Sequence, residues 1–415
     1  MYAIYNILYF IVLIVILPYQ YFKRPSGLRN RWLRERLGFL PSYSSDSKPV
    51  WIHAVSVGEV IAAVPLLKGL KTSRPELDIV LSTVTDTGQA VAKERIGEFA
   101  RIIYVPFDLP FAVANACRRV KPSLFIIMET ELWPSIIRFF SRRGTPVLLL
   151  NGRLSESSVR GYRRLRFFME RVLHDISFFC MQNEEYAGRI ISLGADKSKV
   201  RAIGNFKFDT RPSAPVPEWT RGLGLPVIVA GSTHRTEEDI ILDAFVRLLS
   251  DYQSLVLVIA PRHPERFAEV EEIVKKRGIK YVKRSSLPSG LHGFRASGHV
   301  VILDVMGELA SVYGAADIAV MGGSFVERGG QNPLEPAFWG KAVICGPHME
   351  NFPFIDDFYR HGAAARTGSE GLYETIREIL DSPERMLSMG EAARNLYLNN
   401  AGATEKALRV IEEYL

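Results

Sequence analysis

The chain has 415 residues, enough for two domains that each bury a core. Hydrophobic residues make up 47% and charged residues 23%, which excludes a disordered or fibrous class. The net charge is +7, yet no zinc finger, basic zipper or aromatic RNA-binding signature accompanies it; the three cysteines, Cys117, Cys180 and Cys345, form no CxxC pair. Nucleic acid therefore ranks low as a partner, and a disulfide framework or zinc site is argued against.

From residue 3 to residue 17 the only polar side chains are Tyr5, Asn6 and Tyr9. The run is near the lower limit for crossing a bilayer, and Tyr19, Tyr21 and Phe22 extend it at the interface. It has neither a basic leader nor a small-residue cleavage site, so residues 1–22 read as a membrane anchor rather than a cleaved signal. Lys23, Arg24, Arg29, Arg31, Arg34 and Arg36 follow, which by the positive-inside rule keeps the body on the cytoplasmic face. A helix lying in the interface plane is the alternative, and either form tethers the body to lipid.

Apolar runs at 50–55, 79–83, 102–105, 124–128, 147–150 and 178–181 then alternate with amphipathic stretches. Their continuous Val/Ile/Leu character predicts a parallel sheet covered on both faces, hence a doubly wound domain over 23–209. Pro212, Pro215, Pro217 and Pro226 interrupt the rhythm, so 210–226 reads as a linker. A second series at 227–230, 255–260, 300–303, 318–321 and 342–345 predicts another such domain over 227–395, and 396–415 is helical in pattern. The expected fold is α/β, with two Rossmann-like domains facing a central cleft at their strands' carboxyl ends.

Candidate chemistry sits after these strands. Glu59, in His53-Ala54-Val55-Ser56-Val57-Gly58-Glu59, falls at a helix start. The helix dipole lowers its pKa and burial raises it, so the balance decides whether it is a general base or only favourable N-terminal charge. His53 reads as a core histidine. Glu129 and Glu131, in Met128-Glu129-Thr130-Glu131, end an apolar strand, where a buried carboxylate is costly unless bonded. Lys207 follows the last run before the linker and suits either a cleft cation or an exposed hinge. In the second series, Gly231-Ser232-Thr233-His234, Pro261-Arg262-His263 and Met306-Gly307-Glu308 follow strands. Arg262 suits a phosphate, and His263 more readily a structural role. The richest stretch is MGGSFVERGGQNPLEP, residues 321–336. Its glycines allow a tight turn, Asn332 and Pro333 read as an N-cap and first helical position, and Glu335 suits ribose hydroxyls better than phosphate. An ordinary strand-to-helix turn is the plain alternative. The stretch lacks a full GxGxxG, and no HExxH, Walker loop, nucleophile elbow or metal-ligand cluster is present.

HAVSVGE, METELWP, NGRLS, GNFKFD, APRHPE, MGELA, GGSFVERGGQNPLEP and GPHMENF together, in order over nearly the whole chain, resemble the 3-deoxy-D-manno-octulosonic acid (Kdo) transferases of lipopolysaccharide synthesis. Gln331 departs from the histidine expected there. The resemblance implies a GT-B glycosyltransferase of the cell inner membrane, with CMP-Kdo as donor, a tetraacylated lipid A precursor as acceptor, and neither cofactor nor metal. It implies Glu59 as general base, with Glu131 and Lys207 stabilising or positioning the transition state. It implies CMP binding by Pro261, Arg262, Met306, Gly307, Glu308, Asn332, Pro333, Leu334 and Glu335. Arg153, Arg160 and Arg163 are placed near the acceptor. Two rival readings are another GT-B enzyme using a UDP-sugar on a lipid carrier, and a tethered binding protein without catalysis.

Overall fold

The computed structural model describes residues 1–41, 48–209, 212, 214–287 and 296–415. They form two compact units, Met1–Asp209 with Asn400–Leu415, and Thr210–Asn399. In the first unit β1 (Val50–His53), β2 (Ile79–Thr83), β3 (Ala100–Tyr104), β4 (Leu124–Met128), β5 (Val147–Gly152), β6 (Phe178–Met181) and β7 (Val200–Ala202) form one sheet. Its order is β3-β2-β1-β4-β5-β6-β7 and every pairing is parallel. Successive side chains of a strand enter opposite cores. Val50, Ile52, Leu124 and Ile126 pack on one face, and Trp51, Phe125 and Ile127 on the other. Burial on both faces is why these runs show no polar alternation, and each large apolar side chain so buried contributes about 1.5–3 kcal/mol.

The second unit repeats the plan. Its strands are β8 (Val227–Thr233), β9 (Val256–Pro261), β10 (Tyr281–Lys283), β11 (Val300–Ile302), β12 (Ile318–Met321), β13 (Ala342–Cys345) and β14 (Ala364–Arg366). They form a second parallel sheet of order β10-β11-β9-β8-β12-β13-β14. Trp219, from the proline-rich segment, is buried in this unit's core. The expected strand runs are all strands. The structure adds β7, β10 and β14, each three residues long and each at a sheet edge. Unlike β11, which is as short but fully buried, they are partly exposed and write no continuous apolar run.

Two helices precede the first sheet, α1 (Tyr2–Phe22) and α2 (Ser26–Arg36). By length and composition α1 is able to cross a membrane. One of its faces is docked on the first unit along its length. Tyr2 Oη donates to Asp175 at 3.1 Å, Tyr5 Oη to Asp108 at 2.8 Å, and Asn6 Oδ1 accepts from Ser135 Oγ at 2.7 Å. Further along, Leu13, Leu17 and Tyr21 pack with Trp32 and Phe107. These positions recur every three or four residues, so they share one side of a helix. Ile4, Ile7, Leu8, Ile11 and Val15 lie exposed on the rest of its surface.

At the other end of the sequence, the helix Ala403–Glu412 belongs to the first unit. Ala407, Val410 and Ile411 share a core with Val60 and Leu66. Asp209 caps this helix, accepting from the amides of Gly402 at 2.5 Å and Thr404 at 2.6 Å. In each sheet the strand order reverses at one place, between β1 and β4 and between β8 and β12. Loops at such a reversal diverge and leave room for a ligand at the carboxyl ends.

Candidate active site

In the first unit, Glu59 lies one turn into α3 (Val57–Ser73), which follows β1. Its Oε2 accepts from the Val55 amide at 2.7 Å and its Oε1 from Ser56 Oγ at 3.0 Å. The residue is 7% exposed. Burial pushes its carboxyl up to about 7. The Val55 bond pulls it back, the charge of Glu129 raises it again, and Ser56 and Glu131 act in the same two senses more weakly. Between the two opposing effects weighed from sequence, burial wins.

Glu129 follows β4 in the left-handed region, at φ +55°, with its amide bonded to the Leu150 carbonyl at 2.8 Å. Few residues other than glycine hold that conformation, and such strain collects at functional sites. Its carboxylate accepts from Arg153 Nε at 2.6 Å. Thr130 Oγ1 and the Arg153 backbone bond to one another, tying the loop after β4 to the end of β5. Burial and Glu129 raise the carboxyl of Glu131, which is half-buried. Lys207 is half-buried too. Burial lowers its pKa, and Glu129 opposes the fall. Asn151, again at φ +55°, receives the Phe206 amide at 3.1 Å and so fixes the segment that carries Lys207.

The structure thus gathers Glu59, Glu129, Glu131, Arg153 and Lys207 at the carboxyl ends of β1, β4, β5 and β7. Arg160 and Arg163 are exposed on the helix Glu156–Arg163, where Arg160 pairs with Glu156 at 3.6 Å. His53 is fully buried, and burial drives its imidazole down to about 3, so it is neutral; its Nδ1 faces Ser82 Oγ at 3.0 Å.

In the second unit, the glycine loop after β12 has a partner that sequence reading missed. Glu237 is fully buried, and its carboxylate accepts from the amides of Gly323 at 2.7 Å, Phe325 at 2.9 Å and His234 at 2.8 Å. The acceptor at those amides is therefore an internal carboxylate. An acid three residues after His234 was the available signal, because a carboxylate at a helix start seeks free amides. Next to it, Glu238 accepts both Arg266 Nη atoms, at 2.6 and 3.1 Å, in a buried fork.

Around this support stands a cationic group. Rings of His234 and His263 lie 5.7 Å apart, and Gln331 Nε2 is 3.3 Å from His234 Nε2. Burial lowers the His234 pKa, with His263, Arg328, Arg266 and Arg262 adding to the fall. His234, Arg235, His263, Arg266 and Arg328 line a cavity of about 570 Å³. His263 is exposed. Burial raises the Glu335 carboxyl, against an Asn332 bond and the Arg262 charge, so Arg262 and Glu335 are neighbours. Asn332 Oδ1 accepts from the Leu334 amide at 3.2 Å, and the helix starts at Leu334 with Pro333 as its cap, one position later than expected. Pro261 ends β9, and its neighbour Arg262 bonds through its amide to Thr233. Met306 is exposed, and Gly307 has φ +87°. The Glu308 carboxylate accepts from Arg284 at 2.8 and 3.0 Å and from Trp219 Nε1 at 3.1 Å, so its charge is already paired.

Comparison with known proteins identifies the family and the fold. Residues 31–210 match the domain model described as 3-Deoxy-D-manno-octulosonic-acid transferase (kdotransferase). The chain is 35% identical to the 3-deoxy-D-manno-octulosonic acid transferase of Haemophilus influenzae, over 92% of this chain and 91% of that one. A glycosyltransferase from Rickettsia africae superposes with a TM-score of 0.52 at 16% identity, covering 89% of this chain and 99% of its own. The UDP-GlcNAc 2-epimerase of Neisseria meningitidis does so with a TM-score of 0.54 at 13% identity, covering 88% and 99%. At those identities the two structures show the fold, which is GT-B with two Rossmann-like units. The sequence likeness covers 92% of the chain and so extends through both units, and on it the chain belongs to the 3-deoxy-D-manno-octulosonic acid transferase family.

Proposed function

We propose that the protein is an inverting glycosyltransferase that moves Kdo from CMP-Kdo to a tetraacylated lipid A precursor, releasing CMP. One observation carries the assignment: a buried carboxyl at the reversal of the first sheet, poised at about 7 by burial. That is the value a general base needs at neutral pH. In this reading Glu59 takes the proton of an acceptor hydroxyl, and the freed oxygen pair forms the new bond to the anomeric carbon. The bond from that carbon to the phosphate oxygen breaks, and its electron pair leaves with CMP. The developing oxocarbenium charge is positive. Glu131 beside Glu59 suits it, and Lys207 and Arg153 keep Glu129 neutralised nearby. The donor carries two anionic groups, its phosphate and the sugar's carboxylate. The second unit offers Arg262, Arg328 and His234 to them, with Glu335 for the ribose hydroxyls. Pro261, Met306 to Glu308 and Asn332 to Leu334 supply backbone around the nucleotide. Arg160 and Arg163, both exposed, suit the acceptor's phosphates.

Membrane attachment through the exposed aliphatic face of α1 puts the enzyme where such an acceptor resides, on the cytoplasmic face of the inner membrane. The test is transfer from CMP-Kdo to the tetraacyl precursor in detergent, read by product mass, with Glu59→Ala alongside. Wild type adds Kdo, and the variant binds CMP normally but turns over at least a hundredfold more slowly. Comparable turnover by the variant removes Glu59 as the base. Transfer from a UDP-sugar instead of CMP-Kdo removes the donor assignment.

A further inference from the structure

A cavity of about 240 Å³ lies between α1, α2 and the loops that follow β2 and β3. We infer that it holds part of one acyl chain of the lipid acceptor, an inference that rests on the acceptor class proposed above. Its lining includes Val12 and Ile16, which are 53% and 44% exposed on the aliphatic face of α1. It also includes Trp32 and Phe107, both buried in the body. The space therefore joins the face that meets lipid to the interior of the first unit. Apart from the Tyr9 hydroxyl, its polar lining is Gln20, Arg24 and Arg36. Arg24 stacks on Trp32 at 4.0 Å and pairs with Asp86 at 3.2 Å. Arg36 is buried; one of its Nη atoms donates to the Val105 carbonyl at 2.7 Å, and its Nε has no partner among the described residues. An apolar slot with guanidinium groups in its wall complements an amphiphile whose head is anionic.

Connection to the candidate base selects the acceptor over a bulk phospholipid. Val84, in the cavity wall, donates its amide to the Val55 carbonyl at 3.2 Å, and the Val55 amide is the one that holds Glu59. Two hydrogen bonds in series, Val84 to Val55 and Val55 to Glu59, thus link a chain seated here to the carboxylate its own headgroup must reach. The volume corresponds to about eight waters at liquid density, which admits a segment of one chain and not several.

The experiment compares two acceptors on the full-length protein in detergent, the tetraacyl disaccharide bisphosphate and a short-chain analogue of it. Leu13→Phe fills the cavity from α1, and Val12→Phe does so from its exposed rim, where folding is least at risk. Expected is a rise of at least tenfold in KM for the long-chain acceptor, with kcat and the short-chain kcat/KM unchanged. Equal losses on both acceptors, or no change in either variant, overturn the inference. If wild type transfers to neither acceptor, the functional reading has failed and the cavity is judged by binding. Tetraacyl disaccharide with brominated chains is then expected to quench the fluorescence that Trp32→Phe removes, and Leu13→Phe to abolish that quenching. Equal quenching by a brominated phospholipid, or none by either lipid, overturns it.

Discussion

In its proposed role as general base, Glu59 combines a working requirement with a cost to the fold. Its ordinary value of 4.5 is raised to about 7, so folding favours the protonated carboxyl. That contribution is whole below pH 4.5 and is lost as pH rises through 7. At about 1.36 kcal/mol per pH unit, the ionised residue costs on the order of 3 kcal/mol above pH 8. Glu59→Gln cannot ionise, and its amide oxygen can still accept from Val55. We expect it to match wild-type stability near pH 4 and to exceed it by up to about 3 kcal/mol at pH 8, in urea unfolding at both values. Activity moves the other way, because the base form exists only above the pKa. Wild-type kcat/KM should climb about tenfold per pH unit below 7 and level off above it, and a flat profile from pH 5 to 8 would detach Glu59 from the rate. Much of this site was legible in the sequence, because carboxylates after apolar strands have few structural explanations. The sign of the Glu59 shift was not, since it depends on how completely the loops after β1 and β4 exclude water. Nor was the Glu129–Arg153 pair, whose partners are 24 residues apart and meet only because β4 and β5 are neighbours.

At the scale of elements, the glycine loop after β12 and the helix α1 each show sequence outrun by tertiary context. The loop's glycines were readable as a tight turn, but the acceptor of its amides, Glu237, lies 86 residues before Gly323 at the switch between β8 and β12. Glu237→Ala orphans two buried amides and one half-buried amide, and each buried one is worth about 1–3 kcal/mol, so the second unit should lose at least about 2 kcal/mol in denaturant unfolding. A loss below 1 kcal/mol would mean that water replaces the carboxylate. For α1, composition alone permits a span. Docking supplies the missing constraint, because a helix crossing the bilayer must leave Asp108 and Ser135 without Tyr5 and Asn6. With α1 docked, Met1 stays on the same face as the body. A protease-cleavable tag at Met1 should be cut in sealed membranes whenever the body is accessible. Protection of the tag while the body is digested would establish a span.

On the scale of the whole molecule, the two sheets were readable because parallel strands buried on both faces write continuous apolar runs, and three edge strands escaped because they are short and partly exposed. What sequence order conceals is that the chain's end completes its beginning. Ala403, Ala407, Val410 and Ile411 are at most 2% exposed and fill the core beside α3, and Asp209 caps their helix. Deleting residues 401–415 removes the burial of two large and two small apolar side chains, about 4–6 kcal/mol, and bares Val60 and Leu66. The unit that suffers should be the first, although the cut lies next in sequence to the second. Calorimetry is expected to show a transition lowered by 10 °C or more for the first unit, in the range about 2–4 °C per kcal/mol allows. The second unit's transition should stay in place, together with its shift on adding CMP. If instead the CMP-responsive transition falls and the other holds, the closing helix stabilises the unit proposed to bind the nucleotide and the division of the chain must be redrawn.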